Sequence, residues 1–274
     1  MPSGGCAMSA LNDSMRRQFR HRGFLLLPSL FSEDEISRVR SAVAAVAARE
    51  GPEVIHEPDS DAVRMVYGAH LFNEAFRRLA RHPRWLEPVQ ALMGGPVYIH
   101  QSRLNTKAAF HGGPWTWHQD YATWSNRDGL LEPRAFMVAI LLDRATTSNG
   151  PLMLVPGSHR HGLIADAVDN QESPSYTVFQ IGEERLAQVV RTGGIELFVG
   201  PPGSVLITHA NMVHGSAGNI TPWPRRIFYL NVAAVDNPPT KFDRPEHLCT
   251  RDWTAVGPLD DDCLRTLGPG SATR

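Results

Sequence analysis

The chain lacks the cysteine content of a disulfide-stabilised protein or of a thiolate metal site. Its 274 residues include three cysteines, Cys6, Cys249 and Cys263, which lie far apart in the sequence. An odd number of widely spaced cysteines favours neither a disulfide framework nor a cysteine metal centre. We therefore expect a reducing, cytoplasmic location.

The chain also lacks long apolar runs and any strong net charge. No apolar run reaches the roughly 18 residues of a membrane helix, and the formal net charge is -1. This balance offers no electrostatic case for nucleic acid or for a membrane surface as a partner. The sequence contains no glycine-rich phosphate loop either. A small neutral or zwitterionic molecule is the expected partner.

Length and composition indicate one globular domain. With 42% hydrophobic residues and 20% charged residues, the chain can bury a large core. Because no linker interrupts it, we predict a single domain over residues 15–274, as a monomer or a homodimer. Residues 1–14, rich in Gly, Ser and Ala, are predicted to form a disordered leader.

The pattern of apolar residues predicts helices first and strands afterwards. Ser32 and Glu35 form a capping-box signature before an amphipathic helix that should end near Gly51, and two more helices are expected around residues 73–80 and 83–93. Strands are predicted at 97–105, 135–143, 151–159, 195–199, 204–208 and 227–235. The Asn149-Gly150 turn suggests a hairpin between the second and third of these strands. Residues 165–194 should form an excursion over the site, with a helix at 183–190. This order is typical of an α+β, mainly β domain built on a jelly roll or small barrel.

A His-x-Asp pair lies in the aromatic run Trp115–Trp124. In an extended strand, residues two apart point to the same face, so His118 and Asp120 should project side by side. Two such side chains from one short stretch can supply two ligands to a metal ion. A lone His-x-Asp pair is nevertheless common by chance, so the context has to support it.

A third ligand has two candidates, His209 and His214, which are five residues apart. They would face opposite sides of a continuous strand, so one of them should enter the cavity. If the strand of His214 forms a hairpin with the next strand, Arg225 comes close to the metal. Its neighbour Arg226 is the competing cation. An arginine there could hold a carboxylate with two hydrogen bonds, assisted by the Ser216 hydroxyl.

Taken together, these motifs resemble the phytanoyl-CoA dioxygenase superfamily of iron(II)- and 2-oxoglutarate-dependent dioxygenases. Within it, they are most similar to the ectoine hydroxylases and to the hydroxylases of free amino acids such as proline. The matching runs, in chain order, are Gln101–Asn105, Trp115–Trp124 with Asp128-Gly129, Asn149–His159, His214–Ser216 and Asn219–Arg225.

The resemblance implies a double-stranded β-helix, that is, a cupin-like jelly roll, with flanking N-terminal helices. It implies iron(II) on His118, Asp120 and His214. The implied cosubstrate contacts of 2-oxoglutarate are Arg225, Ser216, Trp115 and Asn105. The implied substrate contacts are Gln101, Arg103, Trp124 and Tyr229.

The implied reaction is oxidative decarboxylation of 2-oxoglutarate to succinate by O2, coupled to hydroxylation of an unactivated C–H bond, with ascorbate as a stimulating reductant. The implied substrate is a small, polar, amino-acid-like metabolite. Residues 125–133 and the run Phe228–Asn231 depart from the ectoine hydroxylases, so the resemblance does not extend to the substrate's identity.

Two other functions use the same residues. A zinc hydrolase could hold its ion on the same two histidines and aspartate, although hydrolysis needs no arginine and serine that anchor a keto acid. A jelly-roll binding module could keep the fold and the metal without catalysing a reaction.

Overall fold

The computed structural model describes residues 11–164, 168–170 and 178–268. Its helices are α1 (Asp13–Arg22), α2 (Glu33–Ser41), α3 (Val43–Ala47), α4 (Ala69–Phe72), α5 (Glu74–Leu79), α6 (Pro83–Met93), α7 (Asp120–Asp128) and α8 (Glu183–Gly193). Its strands are β1 (Phe24–Leu27), β2 (Val54–His56), β3 (Val63–Tyr67), β4 (Val97–Lys107), β5 (Trp115–His118), β6 (Ala135–Leu141), β7 (Leu152–Leu154), β8 (Val168–Asn170), β9 (Val178–Gln180), β10 (Glu196–Phe198), β11 (Val205–His209), β12 (His214–Ser216) and β13 (Arg225–Ala234).

The strands form two antiparallel sheets, as in the predicted jelly roll. The larger sheet has the order β1-β11-β6-β13-β4-β3-β2, and the smaller has the order β10-β7-β12-β5-β9-β8. Helices α2, α5 and α6 pack on the outer face of the larger sheet and build the main core with it. The predicted α+β class, with helices flanking a β core, is confirmed.

The position of β6 between two apolar layers explains why its sequence is apolar throughout. Val138 and Ile140 point outward into the helix-covered core, whereas Met137, Ala139 and Leu141 point inward between the sheets. A strand that is buried on both faces needs apolar residues at every position. The interior of the jelly roll therefore lies beneath β6, β13 and β4, where the polar residues of β4 are also found.

The predicted hairpin around Asn149-Gly150 is wrong. Strand β6 pairs with β11 and β13, whereas β7 pairs with β10 and β12. The turn at Gly150 carries the chain from the larger sheet to the smaller one. Local turn chemistry identified the turn correctly but could not identify the partner strands, because pairing depends on contacts far apart in sequence.

The capping box of α2 is confirmed, but the predicted long helix is divided. The Ser32 hydroxyl accepts from the Glu35 amide, and the Glu35 carboxylate accepts from the Ser32 amide. At Ala42 the amide bonds to Val39 O, a tighter turn than that of an α-helix, and α3 begins at the next residue.

The N-terminus and the excursion are described in part. Helix α1 begins at Asp13, so the last two residues of the predicted 1–14 leader belong to a helix, while residues 1–10 lie outside the described range. In the excursion, α8 lies where a helix was predicted, and residues 165–167 and 171–177 lie outside the described range. None of the helices in the described ranges is long and apolar enough to cross a membrane.

Candidate metal centre and adjoining cavity

The metal-binding candidates His118, Asp120 and His214 meet at one point inside the jelly roll. Strands β5 and β12 pair with His118 opposite His214, and their imidazole rings lie 4.2 Å apart. One potential ligand atom from each of the three residues lies within 4.8 Å of the others, and all three residues are buried. We call this group the triad.

Asp120 reaches the triad from a helix rather than from a strand, which corrects the sequence interpretation. Strand β5 ends at His118, and Asp120 is the first residue of α7. Its carboxylate oxygens lie 3.7 Å from His118 Nε2 and 3.9 Å from His214 Nε2. The His-x-Asp spacing still predicted the pair correctly, because a sharp strand-to-helix corner also brings the two side chains together.

The intervening residue Gln119 holds this corner in place. Its buried amide donates to Gly162 O and Asn211 O and accepts from the Ile164 amide. The backbone amide of Tyr121, two residues further along, donates to Ala210 O. The corner is thus tied to the segment that leads into His214. Sequence reasoning missed Gln119, since nothing in its local pattern indicates these long-range acceptors.

Hydrogen bonds fix which nitrogen each histidine presents to the triad. His118 Nδ1 donates to Thr116 O at 2.6 Å, and His214 Nδ1 donates to Met212 O at 3.0 Å. The protons therefore sit on Nδ1, and both Nε2 lone pairs face Asp120. Backbone-anchored imidazoles of this kind are the usual arrangement of metal-binding histidines.

The surroundings of the triad keep the Asp120 carboxylate ionised and the His214 imidazole neutral. Burial alone would raise the pKa of Asp120, but Arg103, whose Nη2 lies 3.1 Å from Oδ2, and the two histidines lower it below its ordinary value. Burial, together with the neighbouring His118, lowers the pKa of His214 to about 4. A carboxylate and a neutral imidazole are the forms that bind a divalent metal.

A cavity opens beside the triad, and most of the predicted contact residues reach it. Its lining consists of Met65, Arg103, Asn105, Trp115, His118, Leu152, His214, Gly215, Ser216 and Tyr229. Two polar residues of β4, Arg103 and Asn105, belong to this lining. The apolar lining residues Met65 and Leu152 were missed, because apolar strand residues carry no signal of which face they line.

Arg225 lies buried next to this cavity. Its Nε and Nη2 donate to Gly150 O at 3.0 and 2.7 Å, and its Nη1 donates to Asn105 Oδ1 at 2.9 Å. Tyr229 lies beside it, and burial lowers the pKa of the guanidinium. Among the described residues, the atoms that accept these hydrogen bonds are a backbone carbonyl and a side-chain amide oxygen, and both are neutral. A buried guanidinium held by neutral acceptors is suited to an incoming carboxylate.

Arg225 does not reach this place through a hairpin with β12, which is a second correction. Strand β12 belongs to the smaller sheet, whereas β13 pairs with β4 and β6 in the larger one. The competing cation Arg226 points the other way and forms a two-pronged ion pair with Asp143. The choice of Arg225 over Arg226 is therefore supported by the alternation of side chains along β13.

The competing histidine, His209, lies away from the triad. It ends β11, its Nδ1 accepts from the Asn211 amide, and its ring lies 5.4 Å from that of His159. Of the two candidate third ligands, His214 alone joins His118 and Asp120.

Trp115 and Trp117 have different surroundings although they are two residues apart, because the pairing of β5 with β12 shifts register between His214 and Ser216. Trp115 lines the cavity and carries the Arg64 guanidinium over its ring at 4.2 Å. Trp117 packs against an apolar cluster that includes Val155 and Val213. Arg64 was not anticipated from the sequence.

The four predicted substrate contacts fall into two pairs. Arg103 and Tyr229 line the cavity and stack on each other at 5.0 Å. Gln101 and Trp124 are buried behind them. The Gln101 side-chain amide donates to Leu248 O and accepts from the Asn231 amide. Trp124 lies in an apolar cluster, and its ring contacts that of His100.

A second buried cluster also combines three side chains that can bind a metal. It consists of His100, Asp128 and Cys249, and we call it the His100 cluster. His100 Nε2 donates to Asp128 Oδ2 at 2.8 Å, and the Arg244 guanidinium donates to both oxygens of Asp128. The carboxylate is thus occupied by a proton donor and by a cation. No cavity-lining residue belongs to this cluster.

Comparison with known proteins places these observations in a family. The chain is 34% identical over 251 residues to L-proline trans-4-hydroxylase from Streptomyces griseoviridis, covering 88% of this chain and 94% of that protein. It is 36% identical over 268 residues to ectoine dioxygenase from Bordetella parapertussis, covering 92% of this chain and 86% of that protein.

Solved structures also match the chain along most of its length. The crystal structure of EctD from S. alaskensis with 2-oxoglutarate and 5-hydroxyectoine matches with a TM-score of 0.81 and 32% identity, covering 94% of this chain and 90% of that one. The structure of the same protein with bound Fe also matches with a TM-score of 0.81. The model of the family described as phytanoyl-CoA dioxygenase (PhyH) matches residues 19–227 of the chain. The chain therefore belongs to the phytanoyl-CoA dioxygenase family.

Proposed function

We propose that the protein is an iron(II)- and 2-oxoglutarate-dependent oxygenase that hydroxylates an unactivated C–H bond of a small, amino-acid-like metabolite. One observation carries this proposal. The triad and a buried arginine with neutral hydrogen-bond acceptors, Arg225, adjoin the same cavity. A metal that chelates a keto acid at one end and an arginine that binds its far carboxylate at the other require this arrangement.

The donor set of the triad fits ferrous iron. Two imidazole nitrogens and one carboxylate on one face of an octahedral ion leave about three positions open, as in non-haem iron oxygenases. When bound, the iron activates O2 and supplies the oxidising chemistry of the reaction. His118, Asp120 and His214 are the proposed ligands. Arg103 holds the Asp120 carboxylate through its hydrogen bond, and the carbonyls of Thr116 and Met212 hold the two imidazoles.

The residues around Arg225 fit the cosubstrate. We assign the far carboxylate of 2-oxoglutarate to the guanidinium of Arg225 and to the hydroxyl of Ser216, which lines the cavity. Asn105 orients Arg225 through its hydrogen bond to Nη1. Trp115 forms an apolar wall that keeps water from the chelated end. In this arrangement the keto acid is fixed at both ends before O2 enters, which lowers the entropic cost of the reaction.

The class of the substrate is proposed from the two relatives and from the cavity. The names of the relatives state that they act on L-proline and on ectoine, which are both small and polar. We propose that Arg103 and Tyr229 contact the substrate directly, since both line the cavity. Gln101 and Trp124 are proposed to complete the substrate site.

The zinc-hydrolase and binding-module alternatives gain no support from these observations. A hydrolase needs no arginine that anchors a keto acid, and the names of both relatives describe oxidative enzymes. We further propose one domain over residues 15–274 and a cytoplasmic location. The described cysteines, Cys249 and Cys263, are free thiols, which is consistent with that location.

The test of this function is turnover of the reconstituted protein. The full chain is loaded anaerobically with iron(II) and 2-oxoglutarate, then exposed to air with a panel of amino acids that includes proline and ectoine, with ascorbate. Succinate and a product heavier by one oxygen, measured by mass spectrometry, are the expected result. The absence of succinate with every compound, together with bound 2-oxoglutarate, would instead indicate a binding module.

A further inference from the structure

Lys107 is a buried lysine on the same inner strand face as the proposed cosubstrate contacts. Alternate residues of a strand share a face, so Arg103, Asn105 and Lys107 all point into the jelly roll. In the pairing of β4 with β13, Lys107 lies directly opposite Arg225. It is 1% exposed, as is Arg225. Two basic side chains are therefore neighbours across this strand pair, two residues along β4 from Asn105, which lines the cavity.

The surroundings of Lys107 hold it in place but satisfy little of an ammonium group. Its Nζ donates to Gly113 O at 2.5 Å, the acceptor that the structure gives it among the described residues. An ammonium group has three donors. The stem of Lys107 packs against Gly150, where an added Cβ would lie 2.6 Å from Lys107 Cδ. Gly150 O in turn accepts two hydrogen bonds from Arg225, so one turn contacts both basic side chains.

The charged groups that face Lys107 are Arg225 on β13, Arg64 on β3 and Glu57, which follows β2. Arg64 Nη1 pairs with Glu57 at 2.8 Å, so Glu57 is already neutralised by another cation. Burial, and then Arg225 and Arg64, lower the pKa of Lys107 to about 6. Without an added anion, the lysine is therefore mostly neutral at pH 7, while Arg225 keeps its charge.

We propose that Lys107 takes up a proton when the far carboxylate of 2-oxoglutarate binds at Arg225, so that binding of the cosubstrate is coupled to the charge of this lysine. The inference rests on the proposed function, since it needs a dicarboxylate at Arg225. The proton comes from solvent and ends on Nζ. A carboxylate placed near a buried amine favours its charged form, and the ammonium then adds a second cation to the anion's surroundings. Lys107 is thus a positioning residue for the cosubstrate.

The sign of the pH dependence follows from this coupling. The bound anion raises the pKa of Lys107 above its value of about 6 in the anion-free protein. The extra affinity is therefore fully present below about pH 6 and is lost as the pH rises through the higher pKa of the complex. Between the two pKa values, the dissociation constant of 2-oxoglutarate should rise by up to about tenfold per pH unit.

Calorimetry of the full-length protein tests the proposal. The anaerobic iron(II)-loaded protein is titrated with 2-oxoglutarate near pH 7 in two buffers of different ionisation enthalpy, which gives the number of protons taken up. We expect an uptake of about 0.5 to 1 proton for the natural protein. Lys107→Met should bind more weakly and take up none. Lys107→Arg, which stays charged at any pH used, should bind without proton uptake and with a pH-independent affinity.

The possible outcomes separate this inference from the proposed function. If the natural protein binds 2-oxoglutarate but Lys107→Met takes up as many protons, the inference is overturned and the proposed function stands. If the iron-loaded natural protein binds no 2-oxoglutarate at any pH, the proposed function fails and the inference with it. Should Lys107→Met fail to fold, as judged by circular dichroism, Lys107→Arg decides the question: unchanged proton uptake in that variant overturns the proposal.

Discussion

The triad and the His100 cluster contain a histidine, an aspartate and a third side chain that binds metals, and both are buried. They differ in what already occupies their lone pairs. In the triad, backbone carbonyls accept hydrogen bonds from the two Nδ1–H groups, and both Nε2 atoms face Asp120. In the His100 cluster, Nε2 carries the proton donated to Asp128, and Arg244 covers the remaining oxygen.

This difference teaches that residue types alone do not make a metal site. A ligand needs a free lone pair, and the site needs a path for the ion and the substrate. The triad adjoins the cavity and its Asp120 accepts from Arg103 at 3.1 Å, whereas Asp128 accepts from Arg244 on both oxygens and from His100 as well. We therefore interpret the His100 cluster as a structural element that ties the end of α7 to the segment Arg244–Cys249.

The largest difference between the two clusters is expected when a histidine of each is replaced by alanine. His118→Ala should lower iron occupancy and succinate production by more than about 100-fold, because it removes a ligand. His100→Ala should leave the iron content unchanged and lower the free energy of unfolding by about 1–3 kcal/mol, since Asp128 loses a hydrogen-bond donor in a buried place.

Iron content by elemental analysis and unfolding by urea check this pair of variants. Full iron occupancy in His118→Ala would refute the ligand assignment. Loss of iron from a folded His100→Ala variant would show that the His100 cluster also contributes to the metal site.

A second, smaller contrast concerns the buried Arg225 and the partly buried Arg244. Arg225→Lys should raise the KM for 2-oxoglutarate by about 10- to 100-fold with a smaller change in kcat, because a lysine cannot form the two-pronged hydrogen bond. Arg244→Lys is the matched control. It should leave that KM unchanged and lower the melting temperature, since Asp128 loses its bidentate partner.

Steady-state kinetics with varied 2-oxoglutarate, alongside thermal melts, separate these effects. An unchanged KM in Arg225→Lys would remove Arg225 from the cosubstrate site. An equal rise of KM in Arg244→Lys would mean that the His100 cluster acts on the cosubstrate through α7.

The smallest effect is expected at Cys249. Burial raises the pKa of its thiol to about 12, so it stays protonated and is a poor metal ligand at neutral pH. Cys249→Ser should leave iron content and turnover unchanged and alter the free energy of unfolding by about 1 kcal/mol. A loss of bound iron in this variant would contradict the structural interpretation of the cluster.

Much of the site was predictable from short stretches of sequence. His118 and Asp120 are close in the chain, so their proximity follows from local geometry, whether a strand or a corner connects them. The capping box of Ser32 and Glu35 is local for the same reason. The ordered motifs of a known family selected His214, Arg225 and Ser216 among the candidates, and they agreed with the jelly roll expected from the order of helices and strands.

Other parts of the site depend on pairing between distant segments. The local pattern alone left His209 as an alternative to His214 and Arg226 as an alternative to Arg225. The assignment of β6, β7, β12 and β13 to different sheets overturned two predicted hairpins. Which strands pair depends on long-range packing, on which a local pattern carries little information.

By itself, the sequence determined the types of ligands, their order along the chain and the family to which the chain belongs. The tertiary structure decided which of those side chains face one cavity and what occupies their hydrogen-bonding atoms. Lys107 shows the reason. In the sequence it is one lysine after a polar strand, and its charge becomes informative when β13 places Arg225 opposite it and burial removes the water from both.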